Sequence, residues 1–267
     1  MKKLLVFTDL DATLVDHQTY SYEAALPAIA RLKQLDYPII FNSSKTIAEQ
    51  QQLRAELDIQ TPFIVENGAA VVIPPGTLDI TDDAEAHTEI FGSPYKTIVE
   101  TLANLRQQYG YQFRGFSDLD ATELAEITGL PLEGAIAAKQ RQGTEPLLWE
   151  DDESRYEDFV GKLAASQLTT TRGGRFRHVM SNTNKGKALD WLAAHYCNTY
   201  PDADWTVVAL GDSPNDLEML RVADIGVLIP NPHRPPFEAT GISQLVHPQS
   251  IGPAGWAEAI ATILGNH

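Results

Sequence analysis

Short apolar runs that alternate with amphipathic segments constrain the fold of this chain more than any other feature. Apolar runs of this length are typical of strands that are buried on both faces of a parallel sheet. Helical periodicity lies between the runs, and the chain therefore predicts an α/β fold on a parallel sheet. Polar, Gly or Pro residues bound the runs, which lie at Leu4–Phe7, Ile39–Phe41, Phe63–Val65, Val207–Leu210 and Ile225–Ile229.

Two helices are indicated directly by their sequence. Ala25, Ile29 and Leu32 follow the i, i+4, i+7 spacing of one apolar helix face. Thr46 and Glu49 have the spacing of a capping box, in which each side chain accepts a hydrogen bond from the backbone of the other. A helix is therefore expected to begin directly after the second apolar run.

The middle of the chain has a different pattern, and we interpret it as an insert. Amphipathic helical segments mix there with a predicted hairpin of Leu168–Arg172 and Arg175–Met180 that turns at Gly173-Gly174. The strand and helix pattern of the first part resumes after it. We expect a core formed by residues 1–81 and 181–267, and a smaller α+β domain formed by residues 82–180.

Charge and composition exclude several classes of function. The net charge of −16 over 267 residues makes binding to nucleic acid or an anionic membrane surface improbable, because both require a positive surface. The single cysteine, Cys197, cannot form an intramolecular disulfide. No signal peptide and no apolar stretch of about 20 residues is present, so we expect a cytoplasmic protein.

Carboxylates follow two of the predicted strands, where open parallel sheets place their ligands. Asp9 and Asp11 come directly after the first run, and Asp212, Asn215 and Asp216 follow the run Val207–Leu210. Two anions held this close need a cation, and oxygen ligands of this kind suit Mg²⁺. An isolated Asp-x-Asp is more often a solvated turn. The prediction of a Mg²⁺ site therefore depends on Asp9 and Asp11 occurring together with the oxygen ligands after the run Val207–Leu210.

Four segments of the chain resemble, in their order along the sequence, the four motifs of the haloacid dehalogenase phosphatase superfamily. The resemblance implies a Rossmannoid parallel-sheet core with an inserted α+β cap of the C2B type. Ala12 stands where the family usually has glycine, and we expect no strain there if its φ is negative. The segments are Asp9-x-Asp11-x-Thr13, Asn42-Ser43-Ser44-Lys45, Lys185 before a late helix, and Gly211–Asp216.

The resemblance also implies roles for the motif residues. Asp9 would be the nucleophile and a ligand of Mg²⁺, and Asp11 would act as acid and base while its backbone carbonyl binds the metal. Asp212 would be the second carboxylate ligand. Ser43 would donate a hydrogen bond to the phosphoryl group and Lys185 would neutralise it, although Lys187 competes for that role. Asn215 and Asp216 either contact the metal through water, orient Lys185 or only cap a helix.

A closer resemblance is to the mannosyl-3-phosphoglycerate phosphatases within this superfamily. It implies the removal of phosphate from mannosyl-3-phosphoglycerate, a small phosphorylated sugar that also carries a carboxylate. The candidates for substrate contact are Ser44, Lys45, Glu66, Asn67, Arg175 and His178. For each of these, a solvated, core or turn position is the alternative. The segments that carry the resemblance are Asp16–Ser21, Asn42–Thr46, Val65–Gly68, Thr128–Leu130, Glu145-Pro146, Gly174–Phe176 and Gly211–Leu217.

The sequence leaves three alternative functions open. The first is a phosphatase of another sugar phosphate, such as glucosyl-3-phosphoglycerate, sucrose phosphate or a hexose phosphate. The second is a phosphotransferase or mutase, in which Asp9 would have the same role. The third is a sensor of sugar phosphates without turnover, against which the intact Asp9, Asp11, Lys185 and Asp212 weigh. The oligomeric state also stays open.

Overall fold

Twelve strands are present in a computed structural model that describes residues 2–79, 85–173 and 175–266. The five predicted runs all form strands. Four of them, together with a short C-terminal strand, build one parallel sheet in the order β12-β11-β10-β1-β2. The strands are β1 (Lys2–Thr8), β2 (Ile39–Phe41), β3 (Phe63–Val65), β4 (Ala70–Ile73), β5 (His87–Ile90), β6 (Phe113–Gly115), β7 (Thr144–Trp149), β8 (Leu168–Gly173), β9 (Phe176–Ser181), β10 (Asp204–Gly211), β11 (Ile225–Leu228) and β12 (Leu245–Val246).

Nine α-helices lie within the described residues, and both helices indicated by the sequence are among them. The capping box of Thr46 and Glu49 is present, with Glu49 N donating to Thr46 Oγ1 over 3.2 Å. No helix of the described ranges is long and apolar enough to cross a membrane. The helices are α1 (Leu26–Gln34), α2 (Ile47–Glu56), α3 (Tyr95–Tyr109), α4 (Ala121–Thr128), α5 (Leu132–Ala138), α6 (Glu153–Ala165), α7 (Lys185–Thr199), α8 (Leu217–Val222) and α9 (Gly252–Asn266).

Helices cover both faces of the parallel sheet, which explains why its strands are apolar throughout. Successive side chains of a strand point to opposite faces. Leu4 and Val6 of β1 accordingly pack on the side of α1 and α9, and Leu5 and Phe7 pack on the side of α7 and α8. Trp256 of α9 is fully buried under the first face, and its indole N–H donates to Thr8 Oγ1 over 3.0 Å.

The strand β3 differs from the other predicted core strands because it continues the parallel sheet only through a single bridge. Asn42 and Ile64 form that bridge. Beyond it, β3 pairs antiparallel with β4, and β4 pairs antiparallel with β5. The strand β5 lies after the predicted boundary at residue 81, yet it pairs with β4, which lies before that boundary.

The insert has its own sheet of four antiparallel strands in the order β6-β7-β9-β8. The predicted hairpin is formed by β8 and β9, and Gly174 of its turn lies outside the described residues. Ile98, Leu102 and Leu105 of α3 pack with α6 over this sheet. The helices α4 and α5 form a second small cluster with Phe116 and Phe176, and α5 also packs against α2 of the core. The insert therefore covers one end of the parallel sheet.

Candidate active site

The carboxyl ends of three parallel strands bring the motif residues together. Asp9 follows β1, Asn42 follows β2 and Asp212 follows β10. The backbone keeps these loops in register, because Asp9 N donates to Leu210 O over 2.9 Å and Asn42 N donates to Thr8 O over 2.8 Å. Residues far apart in the sequence meet at the edge where ligands of open parallel sheets bind.

Lys185 is the buried cation of this site. Its Nζ lies 2.7 Å from Asp9 Oδ1 and 2.6 Å from Asp216 Oδ1, and its side chain is fully buried. Lys187 lies away from these carboxylates, since its Nζ is 2.7 Å from the backbone oxygen of Asn182. The geometry therefore puts Lys185 rather than Lys187 beside Asp9.

Electrostatics at Asp9 show why the cluster favours further positive charge. Burial raises the pKa of the Asp9 carboxyl to about 8; Lys185 lowers it, while Asp216 and Asp212 raise it. Burial lowers the pKa of Lys185, but Asp216 and Asp9 together raise it above its usual value. Three carboxylates thus share one buried lysine, and the lysine alone does not compensate their charge.

Asp216 is held by the turn that it stabilises. Its Oδ2 accepts hydrogen bonds from Asp212 N and Ser213 N, both over 3.0 Å, and from Ser213 Oγ over 2.9 Å. Gly211 is required for this approach, because a Cβ there would lie 2.5 Å from the Asp216 side chain. With its other oxygen on Lys185, the Asp216 carboxylate both orients the lysine and fixes the loop after β10.

The donor set at the strand ends fits a hard divalent cation. One carboxylate oxygen from each of Asp9, Asp212 and Asp216 lies within 4.8 Å of the others. Asp212 is positioned by Thr13 Oγ1 at 3.3 Å and by Asn231 Nδ2 at 2.5 Å. Burial and the Asp216 charge raise the pKa of Asp212, which again indicates excess negative charge. Oxygen ligands and uncompensated charge are the features that Mg²⁺ requires.

Asp11 points toward the other side of the site and forms an ion pair with Lys45. Asp11 Oδ2 and Lys45 Nζ are 3.2 Å apart. Asp11 Oδ1 is buried and has no hydrogen-bond partner within the described ranges. Ala12 follows Asp11 in the turn closed by Thr13 N, which donates to Leu10 O over 3.1 Å, and its φ is +60°. This left-handed conformation strains a residue with a Cβ, so the condition of a negative φ, under which no strain was expected at Ala12, is not met.

A cleft of about 330 Å³ lies between the core and the insert, which is within the usual size of small-molecule sites. Asp9, Asp212 and Ser213 form part of its floor, and Phe116 and Phe176 of the insert, 5.1 Å apart, form an apolar wall. Most of the predicted site residues line it: Asp9, Asp11, Ser44, Lys45, Asn67, Arg175, His178, Asp212 and Asn215.

Four predicted residues lie behind the lining of this cleft. Lys185 and Asp216 are buried beneath Asp9, as described above. Ser43 is fully buried, and its Oγ accepts from Lys45 N over 3.4 Å. Glu66 is fully buried as well, and both of its carboxylate oxygens accept hydrogen bonds from the insert. The structure therefore brings Glu66 to the junction of the two domains.

Several residues in or beside the cleft were not among the site residues predicted from the sequence. Asn231 holds Asp212, and Arg234 Nε lies 3.6 Å from the same carboxylate oxygen. Both residues follow β11. They could therefore have been found by the rule that located Asp9, which is that ligands bind at the carboxyl ends of parallel strands. Tyr20 lies at the opening of the cleft with its side chain more than half exposed, and Arg141 reaches it from the insert. Arg177 points away, because it pairs with Glu153 over 3.0 Å.

His178 is neutral in the folded protein near pH 7. Burial, with a further contribution from Arg141, lowers its pKa to about 3. The unfolded chain binds a proton on this residue near pH 6.5 and the folded protein does not, so stability is lost as the pH falls below 6.5. Relative to His178→Gln, the free energy of unfolding should fall by about 2 kcal/mol between pH 8 and pH 5.

Urea unfolding at several pH values would measure this difference. His247→Gln is the matched control, since His247 is exposed. The same pH dependence in wild type and His178→Gln would show that His178 is protonated in the folded state.

Comparison with known proteins identifies relatives over the whole chain. The sequence model of a family described as haloacid dehalogenase-like hydrolase matches residues 6–238. A Methanococcoides burtonii protein named glucosyl-3-phosphoglycerate/mannosyl-3-phosphoglycerate phosphatase is 37% identical over 270 residues, covering 99% of this chain and 98% of the relative. A protein of the same name from Persephonella marina is 35% identical over 266 residues, with coverage of 98% and 97%.

Solved structures resemble the fold at much lower sequence identity. A Thermoplasma acidophilum protein has a TM-score of 0.68 at 14% identity, and the match covers 99% of both chains. At this identity the likeness supports the arrangement of core and insert and nothing about a substrate.

Proposed function

Because this chain belongs to the haloacid dehalogenase-like hydrolases and is a phosphatase, we propose that it hydrolyses mannosyl-3-phosphoglycerate to mannosylglycerate and phosphate. The buried Lys185, placed between Asp9 and Asp216 at the floor of the cleft, is the observation that carries the chemistry. The substrate is supported by the names of two relatives that match nearly the full length of the chain. Those names also include glucosyl-3-phosphoglycerate, which is therefore the second candidate.

In the proposed reaction Asp9 attacks the phosphorus atom of the monoester. A bond forms between Asp9 and phosphorus, the bond to the sugar-glycerate oxygen breaks, and Asp11 donates a proton to that oxygen. Water then attacks the aspartyl-phosphate while Asp11 takes its proton. Free phosphate leaves and Asp9 is regenerated.

Lys185 and the loop after β10 prepare this site before substrate binds. Lys185 holds Asp9 at 2.7 Å and brings positive charge to the reacting centre, and Asp216 fixes the lysine in turn. Because phosphoryl transfer gives a protein little to bond covalently, positioning and charge neutralisation account for most of its acceleration. Asn42 supports the arrangement by donating to Lys185 O over 3.0 Å.

Mg²⁺ is the cofactor that we propose for this site. Asp9 and Asp212 would hold it with their carboxylates and Asp11 with its backbone carbonyl, whereas Asn215 and Asp216 would orient the surrounding groups. Bound there, the ion would supply charge neutralisation at the phosphoryl oxygens. The Asp11 side chain is paired with Lys45 and is not used as a ligand of the metal, so it is available for proton transfer.

The rest of the cleft offers the chemistry that a phosphorylated sugar-glycerate needs. Arg141 and Arg175 supply positive charge from the insert for a carboxylate. Ser44, Asn67 and His178 supply polar groups for sugar hydroxyls. Phe116 and Phe176 offer an apolar wall beside them, so recognition combines charge, hydrogen bonding and packing.

A panel of phosphate esters tests the proposed substrate. Phosphate release would be measured with Mg²⁺ on mannosyl-3-phosphoglycerate, glucosyl-3-phosphoglycerate, sucrose phosphate and a hexose phosphate. We expect the highest kcat/KM on mannosyl-3-phosphoglycerate, and a loss of activity when a chelator removes the metal. A clearly higher kcat/KM on a simple hexose phosphate would refute the substrate. Phosphate that appears on a second sugar instead of in solution would identify a phosphotransferase.

A further inference from the structure

A left-handed turn connects β3 to β4 at the junction of core and insert. Glu66, Asn67 and Gly68 have φ values of +54°, +58° and +89° in succession. Glu66 is strained by about 1–2 kcal/mol in this conformation, whereas Asn67 adopts it more readily. The surrounding contacts must therefore hold the turn in place.

On the core side, the turn contacts three of the motif segments. Asn67 N donates to Ser43 O over 2.9 Å, and Asn67 Oδ1 accepts from Asn215 Nδ2 over 3.1 Å. Gly68 packs on the backbone before Lys185, where a Cβ would lie 2.2 Å from Asn184 O. These contacts are made by Asn67 and Gly68, so the core side of the turn is held without the carboxylate of Glu66.

On the other side, the carboxylate of Glu66 binds a loop of the insert. Its Oε1 accepts from Gln142 N over 2.6 Å. Its Oε2 accepts from Gly143 N over 3.2 Å, from Thr144 N over 2.9 Å and from Thr144 Oγ1 over 2.8 Å. Both oxygens are therefore fully used, and hydrogen bonds from several N–H groups to one buried carboxylate are strong.

The loop bound by Glu66 also places Arg141 at the cleft. Arg141 Nε lies 3.5 Å from Glu66 Oε2, and both side chains are buried. The same guanidinium donates to Ser44 O over 3.2 Å and to Ala138 O over 3.1 Å, so it bridges the core and the insert. Since Arg141 lines the cleft, its position there depends on the docking of this loop.

We propose that Glu66 is a positioning residue that docks the loop of residues 141–144 on the core and thereby fixes Arg141 in the cleft. The proposal rests on the proposed function in one respect, because it assigns Arg141 to the large sugar-glycerate substrate. A small ester that reaches only the floor of the cleft does not need this docking. Glu66 thus determines how tightly large substrates bind and has little effect on the chemical step.

Glu66→Gln tests this role while it keeps the shape of the side chain. The amide oxygen of Gln still accepts on one side, but its N–H₂ faces backbone N–H donors on the other, so the contacts of one oxygen, with Gln142 or with Gly143 and Thr144, are lost. Hydrogen exchange of the amides of 142–144 should become at least about tenfold faster, while the amides of β9 and of the part of β7 after Thr144 keep their protection. KM for mannosyl-3-phosphoglycerate should rise about tenfold or more with little change in kcat, and kcat/KM for p-nitrophenyl phosphate should fall less than about threefold.

Two further variants keep the test decisive. Glu258→Gln makes the same change at a carboxylate that lies away from the cleft and accepts from Gln249 N and Ser250 N. It should leave the hydrogen exchange of 142–144 and the KM for mannosyl-3-phosphoglycerate unchanged. Thr144→Val removes one donor to Glu66 and also an acceptor of Arg141 Nε and Nη2, and should increase the exchange rate at 142–144 and KM as Glu66→Gln does. Unchanged exchange at 142–144, or an equal loss on both esters, would overturn the proposal. A wild-type enzyme inactive on mannosyl-3-phosphoglycerate would instead refute the substrate, and the exchange measurement would still test the docking.

Discussion

Replacing Asp9 with Asn should abolish phosphate release, with a decrease in kcat of at least about 10⁴-fold, because an amide cannot attack phosphorus. The fold should survive. The Asn side chain has nearly the same shape, its oxygen can still accept from Lys185, and Lys185 keeps its contact with Asp216 at 2.6 Å. The measurement is phosphate release with Mg²⁺, together with a thermal unfolding curve of the same protein.

Asp36→Asn is the matched control for this experiment. Asp36 makes the same kind of contact with a lysine, Lys3 at 3.1 Å, but its side chain is exposed and lies at the opposite end of the sheet. It should retain wild-type activity. Activity of Asp9→Asn within tenfold of wild type would rule out Asp9 as the nucleophile, and the mechanism would then have to start from water.

Lys185→Met should affect both catalysis and stability. Removing the lysine leaves Asp9 and Asp216 buried without their cation, which costs about 3–5 kcal/mol in the free energy of unfolding. The phosphoryl group also loses a positive charge, and a decrease in kcat/KM of about 10³-fold is expected. Chemical denaturation and steady-state kinetics measure the two effects separately.

The control for Lys185 lies two residues further along the same helix. Lys187→Met makes the same substitution at an exposed side chain that contacts only Asn182 among the described residues. Its stability and activity should be close to those of wild type. Equal losses in the two variants would mean that the charge of this helix start matters rather than the contact of Lys185 with Asp9.

The sequence predicted the parts of the site that depend on local patterns. Asp9, Asp11 and Asp212 were located because they directly follow apolar runs, and parallel strands present their carboxyl ends at one edge. Buried parallel strands are apolar throughout, so their positions could be identified without an alignment. The hairpin of β8 and β9 was located in the same way, from alternation on either side of two glycines.

Contacts between distant segments could not be predicted in this way. Nothing near Glu66 in the sequence indicates that it accepts from Gln142 and Thr144, because the contact exists only once the insert is docked. The φ of +60° at Ala12 is likewise set by the turn from Leu10 to Thr13 rather than by the residue itself. Asn231 and Arg234 follow a strand as Asp9 does, but they belong to the site only because both contact Asp212, and the sequence does not show that contact.

The pairing of β1 with β10 sets an order of events for the growing chain. Lys2 stands opposite Asp204 and Thr8 opposite Leu210, so β1 must wait for a strand that is synthesised after the whole insert. The insert lies entirely between these strands and has its own apolar cluster. It should therefore be complete on the ribosome while β1 still exposes its unpaired edge, and long-range pairing of this kind is slow and open to aggregation. A shortage of chaperones during synthesis would then affect the folding of β1, which carries Asp9 at its end, before it affected the folding of the insert.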